Sequence, residues 1–131
     1  MILPKLSGAL IGMSLLGSAY AASILERRIS LNQWVLMCGA ANGAAEAIGA
    51  TRQDCDSHRR TTQKHLTRYA TEHGATLSDF DALFDTGRVE GKTLVASRLL
   101  RQNGRLAMLM QGFQRDKSIP YHDVEKALSS C

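Results

Sequence analysis

The chain has 131 residues, a formal net charge of +4, and 44% hydrophobic, 21% charged and 5% aromatic residues, which excludes a disordered, collagenous or low-complexity protein. Only two prolines are present, and valine and isoleucine are scarce beside alanine, leucine, arginine and glutamine, so the composition favours helix over sheet. The expectation is an all-α chain, a small bundle of four to five helices.

Residues 1–21 read as a secretory signal peptide: Lys5, an apolar run from Leu6 to about Leu16, then small residues ending in Ala19, Tyr20 and Ala21. The run is interrupted by Ser7, Gly8, Gly12, Ser14 and Gly17 and falls short of the roughly 20 apolar residues that span a membrane. Cleavage after Ala21 leaves residues 22–131 as a single helical domain in the bacterial periplasm, with no stable membrane insertion. The residues after the cleavage point, Ala22, Ser23 and Ile24, hold no cysteine for lipidation. The modest positive balance and the exported location argue against nucleic acid as a partner.

Ser23 and Glu26 fit a capping box that starts the first helix. Ile24, Leu31, Cys38 and Ala45, with Trp34, Ala41 and Ile48, recur at seven-residue spacing as its apolar stripe. The small residues from Gly39 to Ala45 predict close approach of another helix, with a partner-binding groove as the alternative. In an oxidising compartment the cysteines read first as a disulfide, most simply Cys38 with Cys55. Along one straight helix these would lie about 25 Å apart, so the bridge needs a break, for which Asn42-Gly43 and Gly49 are the candidates. Cys131 offers another pairing, which spacing alone leaves open.

A second helix is expected from about Asp54 to His73 with Gly74 as a left-handed stop, and Cys55, Thr62, Leu66 and Tyr69 as its inward face. Arg59, Arg60, Lys64 and Arg68 crowd its outer face. Of these, Arg60, Lys64 and Arg68 align at four-residue steps and form the predicted partner-binding row for an acidic surface. Ser78 is expected to cap a short helix over Asp79–Asp85 that stops at Gly87, with Phe80, Leu83 and Phe84 buried. The aspartates fail the calcium-loop pattern, because the sixth and twelfth positions counted from Asp81 are Thr86 and Lys92.

A longer helix is read from about Val89 to Arg115, kinked or split at Asn103-Gly104. Its inner face is Val95, Leu99, Leu106, Met110 and Phe113, and Arg98, Arg101 and Arg105 lie on another; the run Leu106–Met110 predicts central burial. Pro120 opens a last helix with Tyr121, Val124, Leu128 and Cys131 on one face.

No metal set, cofactor motif or catalytic constellation is specified. His58 and His65 lie about 10 Å apart on one helix, too far to share a metal, and Asp54 with His58 supplies only two ligands. Carboxylates such as Glu46, Glu72 and Glu90 show no paired arrangement for hydrolysis. The functional expectation is a non-enzymatic protein that binds another periplasmic or envelope protein, as an accessory subunit of a secretion, conjugation or pilus apparatus. The alternatives are an immunity protein that inhibits a cell-wall-degrading toxin, and a small enzyme pairing Cys38 or Cys55 with a histidine. Both settings are class-level analogies, and a homodimer is compatible with either.

Released by osmotic shock, the mature protein should start at Ala22 on N-terminal sequencing; a chain starting at Met1 in the membrane fraction would remove the basis for an exported protein.

Overall fold

The computed structural model describes residues 31–96 and 105–129, which form five helices and, among the described residues, no strand. They are α1 (Leu31–Ala47), α2 (Arg52–His73), α3 (Phe80–Ala96), α4 (Arg105–Asp116) and α5 (Tyr121–Ser129). The signal peptide, the Ser23 capping box, Arg98, Leu99, Arg101, the Asn103-Gly104 pair and Cys131 lie outside the described residues. Among the described residues, no helix is long and apolar enough to cross a membrane.

α1 is the central element. Twelve of its seventeen residues are buried, so the expected stripe of Leu31, Trp34, Cys38, Ala41 and Ala45 is only part of an apolar surface that nearly encircles the helix. Its most extensive neighbour is α3. A methyl group added to Gly39 or Gly43 would overlap the carbonyl oxygens of Phe84 or Arg88, and one on Gly87 or Gly91 those of Leu36 or Ala40. The contact therefore runs backbone to backbone, which only glycine permits.

Both members of each pair advance together along the chain, so α1 and α3 run parallel. Asn32 and Ser78 tie their N-terminal ends by reciprocal hydrogen bonds of 3.0 Å, while Glu46 pairs with Arg88 and, at 2.9 Å, with Lys92 farther along. A parallel pair needs a return path. At 22 residues, or about 33 Å, α2 provides one.

The turn between α1 and α2 lies at Gly49, whose φ of 116° suits glycine. Asn42 and Gly43, the other proposed break, are buried inside α1. Thr51 caps α2, its side chain accepting from the Asp54 amide at 3.1 Å. Gly74 ends it in the left-handed conformation, φ 63°, as expected.

Three expectations for the later segments are corrected. The helix beginning at Phe80 does not stop at Gly87 but continues to Ala96, because Gly87 and Gly91 serve the contact with α1 rather than termination. Its cap is Asp79, whose side chain accepts from the Ala82 amide at 3.2 Å; Ser78 is instead committed to Asn32. Nor is Leu106–Met110 central. Leu109 is buried, Leu106 and Met110 are half-buried, and Met108 is 52% exposed.

The main core gathers Trp34, Val35, Cys38, Leu66, Phe84, Leu109, Val124 and Leu128, and a smaller cluster holds Ala45, Cys55 and Phe113. The expected Cys38–Cys55 bridge is not formed. Both are buried thiols, and the chain reversal at Gly49 places them in separate clusters.

Replacing Gly91 or Gly43 by alanine should cost about 3 kcal/mol or more in urea denaturation, since backbone pressed on backbone cannot yield as side chains do. Val89→Ala, on an exposed position of the same α3, should stay within about 0.5 kcal/mol. Equal effects would contradict the close helix contact.

Candidate functional site

One side of α2 forms a polar ladder that anchors the turn between α4 and α5. Asp54 accepts from Lys117 Nζ at 3.0 Å and from Gln114 at 3.2 Å, and Thr61 Oγ1 donates to the Lys117 carbonyl at 2.6 Å. His65 Nε2 donates to the Ile119 carbonyl at 2.7 Å, since a carbonyl only accepts. Farther along, Tyr121 donates to Glu72 at 3.0 Å, and the guanidinium of Arg68 lies 3.9 Å from the centre of the Tyr121 ring. These contacts leave an open groove of about 400 Å³ whose walls include Lys64, His65 and Arg68 from α2 and Ser118, Pro120 and Tyr121 opposite.

Arg60, Lys64 and Arg68 are all exposed on successive turns of α2, yet they are not equivalent. Arg68 is bonded to Glu72 at 2.9 Å as well as stacked on Tyr121, so its charge is partly neutralised within the fold. Lys64 borders the groove, and Arg60 touches the hydroxyl of Ser57 at 3.4 Å. Arg59 leaves the outer face: it lies over the Phe84 ring at 4.8 Å and pairs with Asp81 and Asp85 at 3.0 and 2.8 Å. The cationic surface is thus narrower than the helical spacing implies.

A second polar constellation lies beneath, between α1, α2 and α3. Asn42, 1% exposed, donates through Nδ2 to the Cys55 carbonyl and to His58 Nδ1, each at 2.9 Å, and accepts at Oδ1 from Arg88 Nε at 3.0 Å. Arg88 also holds Glu46. The His58 ring packs 4.9 Å from Phe113 and 6.3 Å from Phe84, joining the two apolar clusters. Burial pulls its pKa down to about 3, so the imidazole is neutral and accepts from Asn42. An open cavity of about 280 Å³, bordered by Asn42, Glu46, Arg52, Cys55, Asp56, Arg59 and Arg88, opens beside this network.

Cys38 and Cys55 lack the electrostatics of nucleophiles. Burial pushes the Cys38 thiol well above its usual value, the nearby Asp116 carboxylate adds to the rise, and a hydrogen bond with Thr62 opposes it. Burial likewise raises Cys55, with Glu46 contributing and Arg88 opposing. Neither is held as the thiolate that a nucleophile requires. Asp54 and His58 are not brought together: Asp54 belongs to the Lys117 ladder, whereas His58 points inward to Asn42.

Inward-facing His58 and His65, buried Asn42 and Asp116, and the meeting of Glu72, His73, Tyr121 and Glu125 are absent from the sequence-based site. One signal did exist: His58 and His65 fall on the face of Cys55, Thr62 and Leu66. The partners across 49 to 54 residues of chain leave no local mark.

Comparison with family models, with curated proteins and with solved structures gives no match.

The His58 environment makes stability acid-sensitive. Below about pH 6.5 the unfolded chain takes a proton that the folded chain refuses until about pH 3. Stability should therefore fall on acidification through that window, by about 1.4 kcal/mol per pH unit from this group. Glu46, Asp54 and Asp85, whose pKa values are lowered by basic partners, should add their losses at the acidic end. In denaturant titrations His58→Gln should lower stability near neutrality and flatten the slope between pH 6.5 and 4.5; an unchanged slope would show that His58 is not its source.

Proposed function

We propose that this chain is an exported, non-enzymatic protein-binding module of the bacterial envelope, an accessory subunit of a secretion, conjugation or pilus apparatus. Its partner-facing surface is the side of α2 bearing Arg60 and Lys64. The observation that carries this reading is the groove between α2 and the α4–α5 turn. It is open, has cationic groups on one wall and ring and hydroxyl groups on the other, and lies on a rigid helix whose opposite face is committed to the core. Exposed lysine and arginine steer an acidic surface and raise its association rate more than its final affinity.

Export is supported by the arrangement of residues 1–21. Burial of both Cys38 and Cys55 suits an oxidising compartment, because inaccessible thiols with raised pKa values react slowly. Against an enzymatic role stand the neutral thiols and the engagement of His58 with Asn42.

Capture from the native envelope under mild solubilisation should recover a multi-protein assembly. Recovery of a single cell-wall hydrolase would instead assign an immunity protein. The double variant Arg60→Glu/Lys64→Glu should keep wild-type helical content, since among the described residues neither side chain has an ion pair to lose, while slowing partner association at least tenfold at low salt. Arg68→Glu should behave differently and loosen α5, because it removes the Glu72 pair and the Tyr121 contact. Unchanged capture by the folded double variant would place the interface elsewhere.

A further inference from the structure

The C-terminal end of α2 and the middle of α5 bring together a set of donors distinct from the cationic face. Glu72, His73 and Glu125 each present one donor atom, and these atoms lie within 4.8 Å of one another. Glu125 is 52 residues beyond His73, and its Oε2 lies 3.0 Å from His73 Nε2. Tetrahedral zinc with nitrogen and oxygen donors at about 2.0 to 2.2 Å places neighbouring donors about 3.3 Å apart. The His73–Glu125 pair is close to this spacing, and a donor oxygen of Glu72 lies within 4.8 Å of both.

The donors are oriented from behind. The His73 ring stacks on Tyr69, centroids 4.1 Å apart and planes 17° from parallel, which fixes the direction of its nitrogens. Glu72 is positioned by the Tyr121 hydroxyl at 3.0 Å on one oxygen and by Arg68 Nε at 2.9 Å on the other. Each carboxylate oxygen keeps a second acceptor site, and hydrogen bonds of this kind commonly orient metal-binding carboxylates. Arg68 offsets one of the two carboxylate charges, leaving the cluster net negative toward a divalent cation. Its presence favours a borderline metal that uses the imidazole over a hard cation that depends on carboxylate charge alone.

We propose that Glu72, His73 and Glu125 form a three-donor zinc site, with water completing the coordination, that clamps α5 onto the end of α2. Zinc takes the Nε2 lone pair and one oxygen from each carboxylate. The hydrogen bond between His73 and Glu125 gives way to the metal, the ring proton moving to Nδ1.

The test is calorimetric titration of the full mature chain with zinc alone, with thermal unfolding in parallel. Expected are one zinc per chain at micromolar concentration and a rise in the unfolding midpoint. His73→Ala and Glu125→Gln should each weaken binding at least tenfold, and Tyr121→Phe should weaken it about tenfold by freeing Glu72. His122→Ala, which removes an exposed histidine from the same α5, should leave binding unchanged. Circular dichroism of each variant confirms that the helices persist. The proposal is overturned if zinc fails to bind, if binding survives His73→Ala, if it depends on His122, or if calcium binds as tightly and ignores His73→Ala, the signature of a plain acidic patch.

Discussion

The contact between α1 and α3 constrains the rest of the fold because it is made by main chain rather than by side chains. Gly39 and Gly43 on one helix meet Gly87 and Gly91 on the other so closely that neighbouring carbonyl oxygens occupy the space where methyl groups would stand. Each glycine costs about 0.5 to 1 kcal/mol of helix propensity relative to alanine, a cost offset by the close packing of two helical surfaces. Such a contact fixes the relative translation of the helices within a fraction of a turn. It also makes them parallel, so that α2 must run the length of the pair to connect them.

α2 consequently has two unlike faces. Its inner side supplies Cys55, His58, Thr62, His65 and Leu66, an unusually polar contribution to a core. The polar atoms are tolerated because most have partners: Asn42 satisfies His58 and the Cys55 carbonyl, Thr62 donates to the carbonyl one turn before it, and His65 Nε2 holds the Ile119 carbonyl. A buried network of this kind favours a single packing arrangement, since slipping a helix would strand several polar atoms together. The flank that binds the α4–α5 turn extends this logic to the surface, where Asp54, Thr61 and Glu72 secure a short C-terminal helix that would be marginal alone.

Both functional proposals arise from this division of α2. The exposed cations lie on the side that packing does not require, next to a groove created where the α4–α5 turn is tied down. The proposed zinc donors lie where the same ladder ends, at the only described place where a histidine and two carboxylates converge. Activated cysteine chemistry suits the molecule less well, because the packing that buries the thiols also raises their pKa values.

The sequence by itself determined the helical class, the extent of α2 to within a few residues, its stop at Gly74, and the small-residue surface of α1. These follow from composition, apolar spacing and the conformational freedom of glycine, all of which act over one or two helical turns. It misjudged Gly87, since a glycine that ends a helix and one that admits a neighbouring helix look alike until the neighbour is known. It placed Arg59 outside and overlooked the inward histidines, because solvation of a side chain depends on what packs over it. The union of Asn42 with His58 and Arg88, the separation of Cys38 from Cys55 into two clusters, the stacking of Arg68 on Tyr121 and the convergence of Glu72, His73 and Glu125 were decided by tertiary structure alone. Each joins residues far apart in the chain, and only the register imposed by α1 against α3 and the return path of α2 brings such residues within reach.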